Sequence, residues 1–255
     1  MLKGDRLWLC VAGFLGLVLQ ALPVSAQQAG PVAARYAGPT DRYPHNIMGS
    51  LKAHTDLIVE WAACGTCDDV EGQLATRLPD DLVFEDFAPR LVDLNRDGVK
   101  EIVTVESDAT RGSRLSVWEV TSDGGTLKLA RLAVTDFIGT RFRWLAPIGA
   151  ADFDGDGNLE LAYVEKPHLD KVLKIVRLVD GRLEDVARIA GVTNHAIGQE
   201  TVQSRIALCK NGPRIVLLDA GGSRTMSVVL TGSKLRARDI GPSLAPMVLG
   251  RGDPC

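Results

Sequence analysis

The chain has 255 residues, with 29 Lys and Arg against 32 Asp and Glu, a net charge of −3 and only 5% aromatic residues. Without a long basic run, that balance excludes a nucleic-acid surface and a polybasic membrane patch. Past the N-terminus, no stretch is apolar over the ~20 residues that a spanning helix needs.

The N-terminus reads as a processing segment. Lys3 and Arg6 precede an uncharged apolar run, Leu7 to Leu22, and Val24-Ser25-Ala26 offers a small-residue cleavage site. The run is short for a membrane anchor, and Cys10 lies on the wrong side of it for lipidation. A mature chain starting at Gln27 is therefore expected in the periplasm or outside the cell, as a monomer with no membrane span. Gln27 to Pro44, rich in Ala, Gly and Pro, reads as a flexible leader, and residues 45–255 as one folded domain.

Short β-like runs follow in order: Leu57–Trp61, Glu101–Val105, Leu115–Val120, Leu161–Val164, Val172–Val179, Arg205–Leu208, Ile215–Leu218 and Met226–Leu230. Several alternate apolar and polar residues, the period of a strand. Asp123-Gly124-Gly125, Asp180-Gly181 and Ala220-Gly221-Gly222 mark turns. No capped pattern of 3.6-residue period appears, so helix is expected to be scarce.

Four cysteines remain after processing: Cys64, Cys67, Cys209 and Cys255. An even count in an exported chain points to disulfides. Cys64-Gly-Thr-Cys67 admits a redox pair, half a zinc site or a local bridge. No βαβ context and no second ligand pair accompany it, which favours the bridge. Cys64–Cys67 and Cys209–Cys255 are the expected pairs, the latter tying the chain end to the last repeat.

Two acidic loops lie 59 residues apart: Asp93-Leu-Asn95-Arg-Asp97-Gly98-Val99-Lys-Glu101 and Asp152-Phe-Asp154-Gly-Asp156-Gly157-Asn158-Leu-Glu160. Both read D-x-[DN]-x-D-G-x-x-E. Calcium takes six to eight oxygens, and side chains at positions 1, 3, 5 and 9 with the carbonyl at position 7 can curl round one ion. Those carbonyls belong to Val99 and Asn158. Two calcium ions are thus expected, the first bound more weakly because Asn95 is neutral. An EF-hand is excluded: position 12 is Thr104 or Tyr163 rather than Glu, and β-branched runs follow instead of helices.

The loops, the strands leaving at position 9, and the preceding Ala88-Pro89 and Ala146-Pro147 resemble the FG-GAP/VCBS repeats of integrin-α-like β-propellers. The likeness covers roughly residues 80–190. It implies an all-β, propeller-like fold with calcium loops in its hairpins. A degenerate copy, Lys210 to Asp219, lacks the acids. A 59-residue period in the mature chain gives about four blades; five remain admissible because the first unit is poorly delimited.

No histidine pair has metal spacing, and neither a G-x-S-x-G elbow nor a G-x-G-x-x-G phosphate loop is present. His45 and His195 share a repeat context that suggests structural roles. Phe84, Phe87 and Phe142-Arg143-Trp144 read as packing between blades. Arg251-Gly252-Asp253 spells an adhesive tripeptide, but beside Pro254-Cys255 it reads as a terminal turn. The expected function is a non-enzymatic module that binds a protein or glycan. The alternatives are an enzyme using the central pocket, or a structural subunit of an envelope assembly.

Overall fold

A computed structural model describes residues 28–255. The expected export signal lies outside them. Among the described residues there are seventeen strands and no helix.

The strands fall into four consecutive units. The first holds β1 (Gly30–Thr40), β2 (Ala53–Ala62) and β3 (Gly72–Arg77). The second holds β4 (Leu82–Phe84), β5 (Arg90–Val92), β6 (Glu101–Asp108), β7 (Gly112–Asp123) and β8 (Thr126–Val134). The third is a four-stranded meander of β9 (Leu145–Ala151), β10 (Glu160–Glu165), β11 (Val172–Val179) and β12 (Arg182–Ala190). The fourth holds β13 (Val192–Thr193), β14 (Arg205–Cys209), β15 (Gly212–Asp219), β16 (Arg224–Thr231) and β17 (Lys234–Pro242). All pairings are antiparallel, and β4 bridges β2 and β6 to join the first two units in one sheet. The last strands of successive units pack side by side, β3 on β8, β8 on β12 and β12 on β17. Loops close the arrangement, with Gly198 N–H donating to the Ile47 carbonyl at 2.9 Å. This is the radial stacking of a β-propeller-like fold.

Side chains alternate across a strand, so each central strand serves two neighbours. Ile102 of β6 packs with Leu57, Val59, Phe84 and Trp118 between units one and two. Val103 and Val105 of the same strand face Leu115, Trp144, Leu161 and Tyr163 between units two and three. Ala162 and Val164 of β10 turn the other way, onto Ile215, Leu217 and Val228 of unit four. Strands buried on both faces lose the polar half of their alternation, which is why Ile215–Leu218 reads as an unbroken apolar run and Ile102–Val105 is interrupted only by Thr104.

The expected leader is instead β1, paired with β2 from Gly30↔Ala62 to Thr40↔Ala53. Its Pro31 and Pro39 are tolerated because β1 is an edge strand, where a missing N–H leaves no partner unpaired. The sequence reading also passed over β3, β8, β12 and β17. These outer strands are largely exposed and carry little apolar signal.

Both expected disulfides are present, with Cα–Cα distances of 5.2 Å for Cys64–Cys67 and 5.5 Å for Cys209–Cys255. Cys209 ends β14 at a tight turn whose register pairs it with Gly212. This is the position that the acidic loops occupy in units two and three. The Arg251-Gly252-Asp253 tripeptide lies against β17, with the Ile240 carbonyl where a Gly252 side chain would go. Replacing both Cys209 and Cys255 by Ser should lower unfolding stability by about 2–4 kcal/mol, the usual effect of opening such a crosslink. Denaturant melts under non-reducing conditions measure this; an unchanged midpoint would show that the bond does not hold the last unit.

Candidate metal loops and the axial cluster

The two acidic loops occupy the same connection, β5 to β6 and β9 to β10, and repeat one hydrogen-bond pattern. The position-1 carboxylate accepts from the position-6 glycine: Gly98 N–H to Asp93 at 3.1 Å and Gly157 N–H to Asp152 at 3.0 Å. Position 3 accepts from position 5, Asp97 N–H to Asn95 at 3.0 Å and Asp156 N–H to Asp154 at 3.2 Å. Position 5 accepts from position 7, Val99 N–H to Asp97 and Asn158 N–H to Asp156, both at 2.8 Å. Gly98 and Gly157 have φ of 88° and 96°, in the left-handed region that a side chain would strain.

The position-9 glutamates are the first residues of β6 and β10 and are almost fully buried, Glu101 at 3% and Glu160 at 0% exposure. Each accepts from the backbone at position 2, Leu94 N–H at 2.7 Å and Phe153 N–H at 2.8 Å. Burial pushes the Glu101 carboxyl up to about 7; Asp97 and Asp93 add to the rise, while the Leu94 N–H opposes it. Burial raises Glu160 too, held back by the Phe153 N–H and by the Arg177 guanidinium.

Two observations fit these loops to a hard cation. Asp93 Oδ1 is buried without a hydrogen-bond partner. In the second loop, carboxylate oxygens of Asp152, Asp154 and Asp156 lie within 4.8 Å of one another. The donors are all oxygen, the chemistry of calcium or magnesium rather than of zinc or copper. The structure therefore brings the carboxylates of Asp152, Asp154 and Asp156 together in the second loop. Asp93, Asn95, Asp97, Val99 and Glu101 of the first loop, and Asn158 and Glu160 of the second, lie outside that cluster and share the same hydrogen-bond pattern.

Sequence reasoning missed two contributors. Arg177 on β11 reaches the second loop, with Nη2 2.8 Å from Asp154, Nη1 2.8 Å from Asp156 and Nε 2.7 Å from Glu160. Its signal was the cross-strand register, Glu160↔Arg177, which no linear motif contains. Gly65, inside the Cys64–Cys67 turn, packs on the first loop so closely that a Cβ there would collide with the Gly98 carbonyl and the Val99 side chain. The disulfide turn thus backs the loop where Val99 presents its carbonyl.

Near the axis lies a second polar group. His45 Nδ1 is 2.7 Å from Glu85 Oε1, the Ser107 hydroxyl donates to Glu85 Oε2 at 2.5 Å, and Ser107 meets Ser113 at 2.6 Å. The Trp144 indole N–H donates to the Glu85 carbonyl at 2.7 Å. His168 Nε2 lies 2.8 Å from His195 Nδ1, and His195 Nε2 2.9 Å from the Gln199 carbonyl. The cavity beside Glu85 measures about 20 Å³, room for about one water molecule. His45 and His195 are thus both held by hydrogen bonds, and Trp144 is buried.

Burial pushes the His168 imidazole down to about 4, aided by His195, His45 and Lys171, and burial also lowers His195. Both rings are therefore held neutral. For a folded pKa below the unfolded value of about 6.5, stability is full above the unfolded value and declines as pH falls toward the folded one. Between pH 6.5 and 4, wild type should lose more melting temperature than a His168→Gln variant. Comparing the two cancels the opposite trend from Glu101. Parallel pH profiles would show that His168 stays protonated or solvated in the fold.

Residues 86–163 match the family model for the FG-GAP-like repeat, a span containing both acidic loops. No curated protein matches the chain. Loop pattern, strand exit and matched span coincide, so residues 86–163 are similar to an FG-GAP-like repeat.

Proposed function

We propose that this is an exported, calcium-braced interaction module without chemistry of its own. FG-GAP repeats often bind calcium, and proteins built from them are typically non-enzymatic interaction modules. The observation that carries the calcium reading is the buried, unpartnered Asp93 Oδ1 in a loop whose Asp93 Oδ2, Asn95 Oδ1 and Asp97 oxygens accept hydrogen bonds. Asp93, Asn95, Asp97, Glu101 and the Val99 carbonyl would hold one ion. Asp152, Asp154, Asp156, Glu160 and the Asn158 carbonyl would hold the other. Bound there, calcium supplies charge balance and closes the hairpin. The disulfides fit an oxidising compartment, and none of the described residues forms a helix able to cross a membrane.

The axial carboxylate–histidine pair is the feature that an enzyme reading would use. Its oxygens are already bonded and its cavity is too small for a substrate, so we assign it to structure. The partner face we assign to the loops around residues 47–51, 169–171, 196–200, 220–222 and 244–248. They are linked by Ser50 N–H to Glu200 at 3.2 Å, Gln199 Nε2 to the Met247 carbonyl at 3.4 Å, Met247 N–H to the Gly222 carbonyl at 2.9 Å, and Lys171 Nζ to the Ala220 carbonyl at 2.5 Å. Leu51, Leu169, Ile197 and Leu244 stand exposed on them, Ile197 at 70%. Several large apolar side chains on one linked surface favour a protein partner over a glycan.

Calorimetric titration should find two calcium ions per chain, and chelator should lower the melting temperature. Ligand at a hundredfold excess over its Kd stabilises by about 2.7 kcal/mol per site. Magnesium should substitute poorly, since it holds a tight octahedron and its waters. Unchanged melting in chelator, with no metal by elemental analysis, would reduce the loops to acidic turns.

An Ile197→Asp, Leu51→Asp double variant should keep the wild-type calcium titration and melting curve. It should lose co-purification with whatever envelope protein wild type retains in calcium. Equal recovery by both proteins would move the partner face elsewhere.

A further inference from the structure

We propose that Arg177 is a built-in counter-cation of the second acidic loop, leaving the first as the tight calcium site and the second as a guarded, weaker one. This rests on the calcium reading above and deepens it.

Counting carboxylates in the motif favours the second loop, which has Asp at position 3 where the first has Asn95. The strand beside each loop reverses that order. Opposite Glu160 on β11 stands Arg177, whose guanidinium reaches Asp154, Asp156 and Glu160 together. Three of the four acidic side chains that would hold the ion are therefore already paired. Beside Glu101 the pairing of β6 with β7 begins one residue further in, at Ile102↔Trp118, and the next residue along β7 is Glu119 rather than a cation. The same place in the repeat thus carries a cation beside one loop and a carboxylate beside the other.

The consequences follow from charge. Among the described residues no cation pairs with Asp93, Asp97 or Glu101, and Asp93 Oδ1 has no partner. The first loop is thus an acidic pocket without a paired cation. In the second, an arginine cannot shed its proton to make way, since guanidinium stays charged throughout the accessible pH range. It can only swing out, giving up its bonds to Asp154, Asp156 and Glu160. Metal-free, Arg177 screens the repulsion among the four acids, so the second hairpin keeps its shape without an ion.

The test is a calorimetric calcium titration of the full mature chain, alongside Arg177→Gln and Glu119→Arg. Wild type should bind in two steps. Asp97→Asn should abolish the tighter one and Asp156→Asn the weaker one. Arg177→Gln should tighten the weak step by about tenfold or more, the scale on which one neighbouring charge alters a carboxylate's affinity for a proton, and leave the tight step alone. In chelator it should also melt below wild type, with calcium closing the gap. Glu119→Arg, which gives the first loop its own arginine, should weaken the tight step. It decides the matter if Arg177→Gln does not fold. Two-step binding that neither variant shifts, or a tighter step lost with Asp156→Asn, would overturn the role of Arg177 while leaving the calcium reading intact. Absence of any calcium binding by wild type would overturn both.

Discussion

A buried carboxylate at the first residue of a central strand is the constraint on which each acidic hairpin depends. Glu101 and Glu160 sit where the loop enters the sheet and accept from the loop's own second residue, Leu94 or Phe153. Those residues are themselves buried, at 4% and 5% exposure. The loop is thereby fastened at both ends to the blade. A carboxylate in that position is costly unless a positive charge answers it. In the second loop the answer is Arg177, reaching across from β11. In the other loop no cation pairs with the acids, and Asp93 Oδ1 lacks a partner.

The other units solve the same connection without acid. In unit four the loop shrinks to Lys210-Asn211, and the Cys209–Cys255 bond fastens that hairpin to the chain end. Salt bridge and disulfide are two ways of pinning one topological position. The Cys64–Cys67 turn serves the first loop less directly, by packing Gly65 against Gly98. At the axis, His45, Glu85 and the Ser107–Ser113 pair join the loops of unit one to unit two by hydrogen bonds in a space that leaves room for about one water. Polar groups buried there fix how neighbouring units meet, and Trp144, bonded to the Glu85 carbonyl, carries that joint into the core between units two and three.

The sequence by itself determined what depends on residues close together in the chain. The D-x-[DN]-x-D-G-x-x-E spacing specified both loops down to their glycine bends, because ligands within nine positions need only a turn to converge. Central strands such as Ile102–Val105 and Ile215–Leu218 were legible from β-branched apolar runs. The outer strands were not, since a half-solvated edge carries no apolar signature, and β1 was hidden by prolines that only an edge position permits. Tertiary structure alone decided what depends on register and packing. It set Arg177 against Glu160, and it laid Gly65 on the first loop. His168 and His195, twenty-seven residues apart, meet at the axis. Such juxtapositions are fixed by how sheets pair and stack. A side chain 17 residues away in sequence can therefore pair three acids of a loop whose own motif contains no cation.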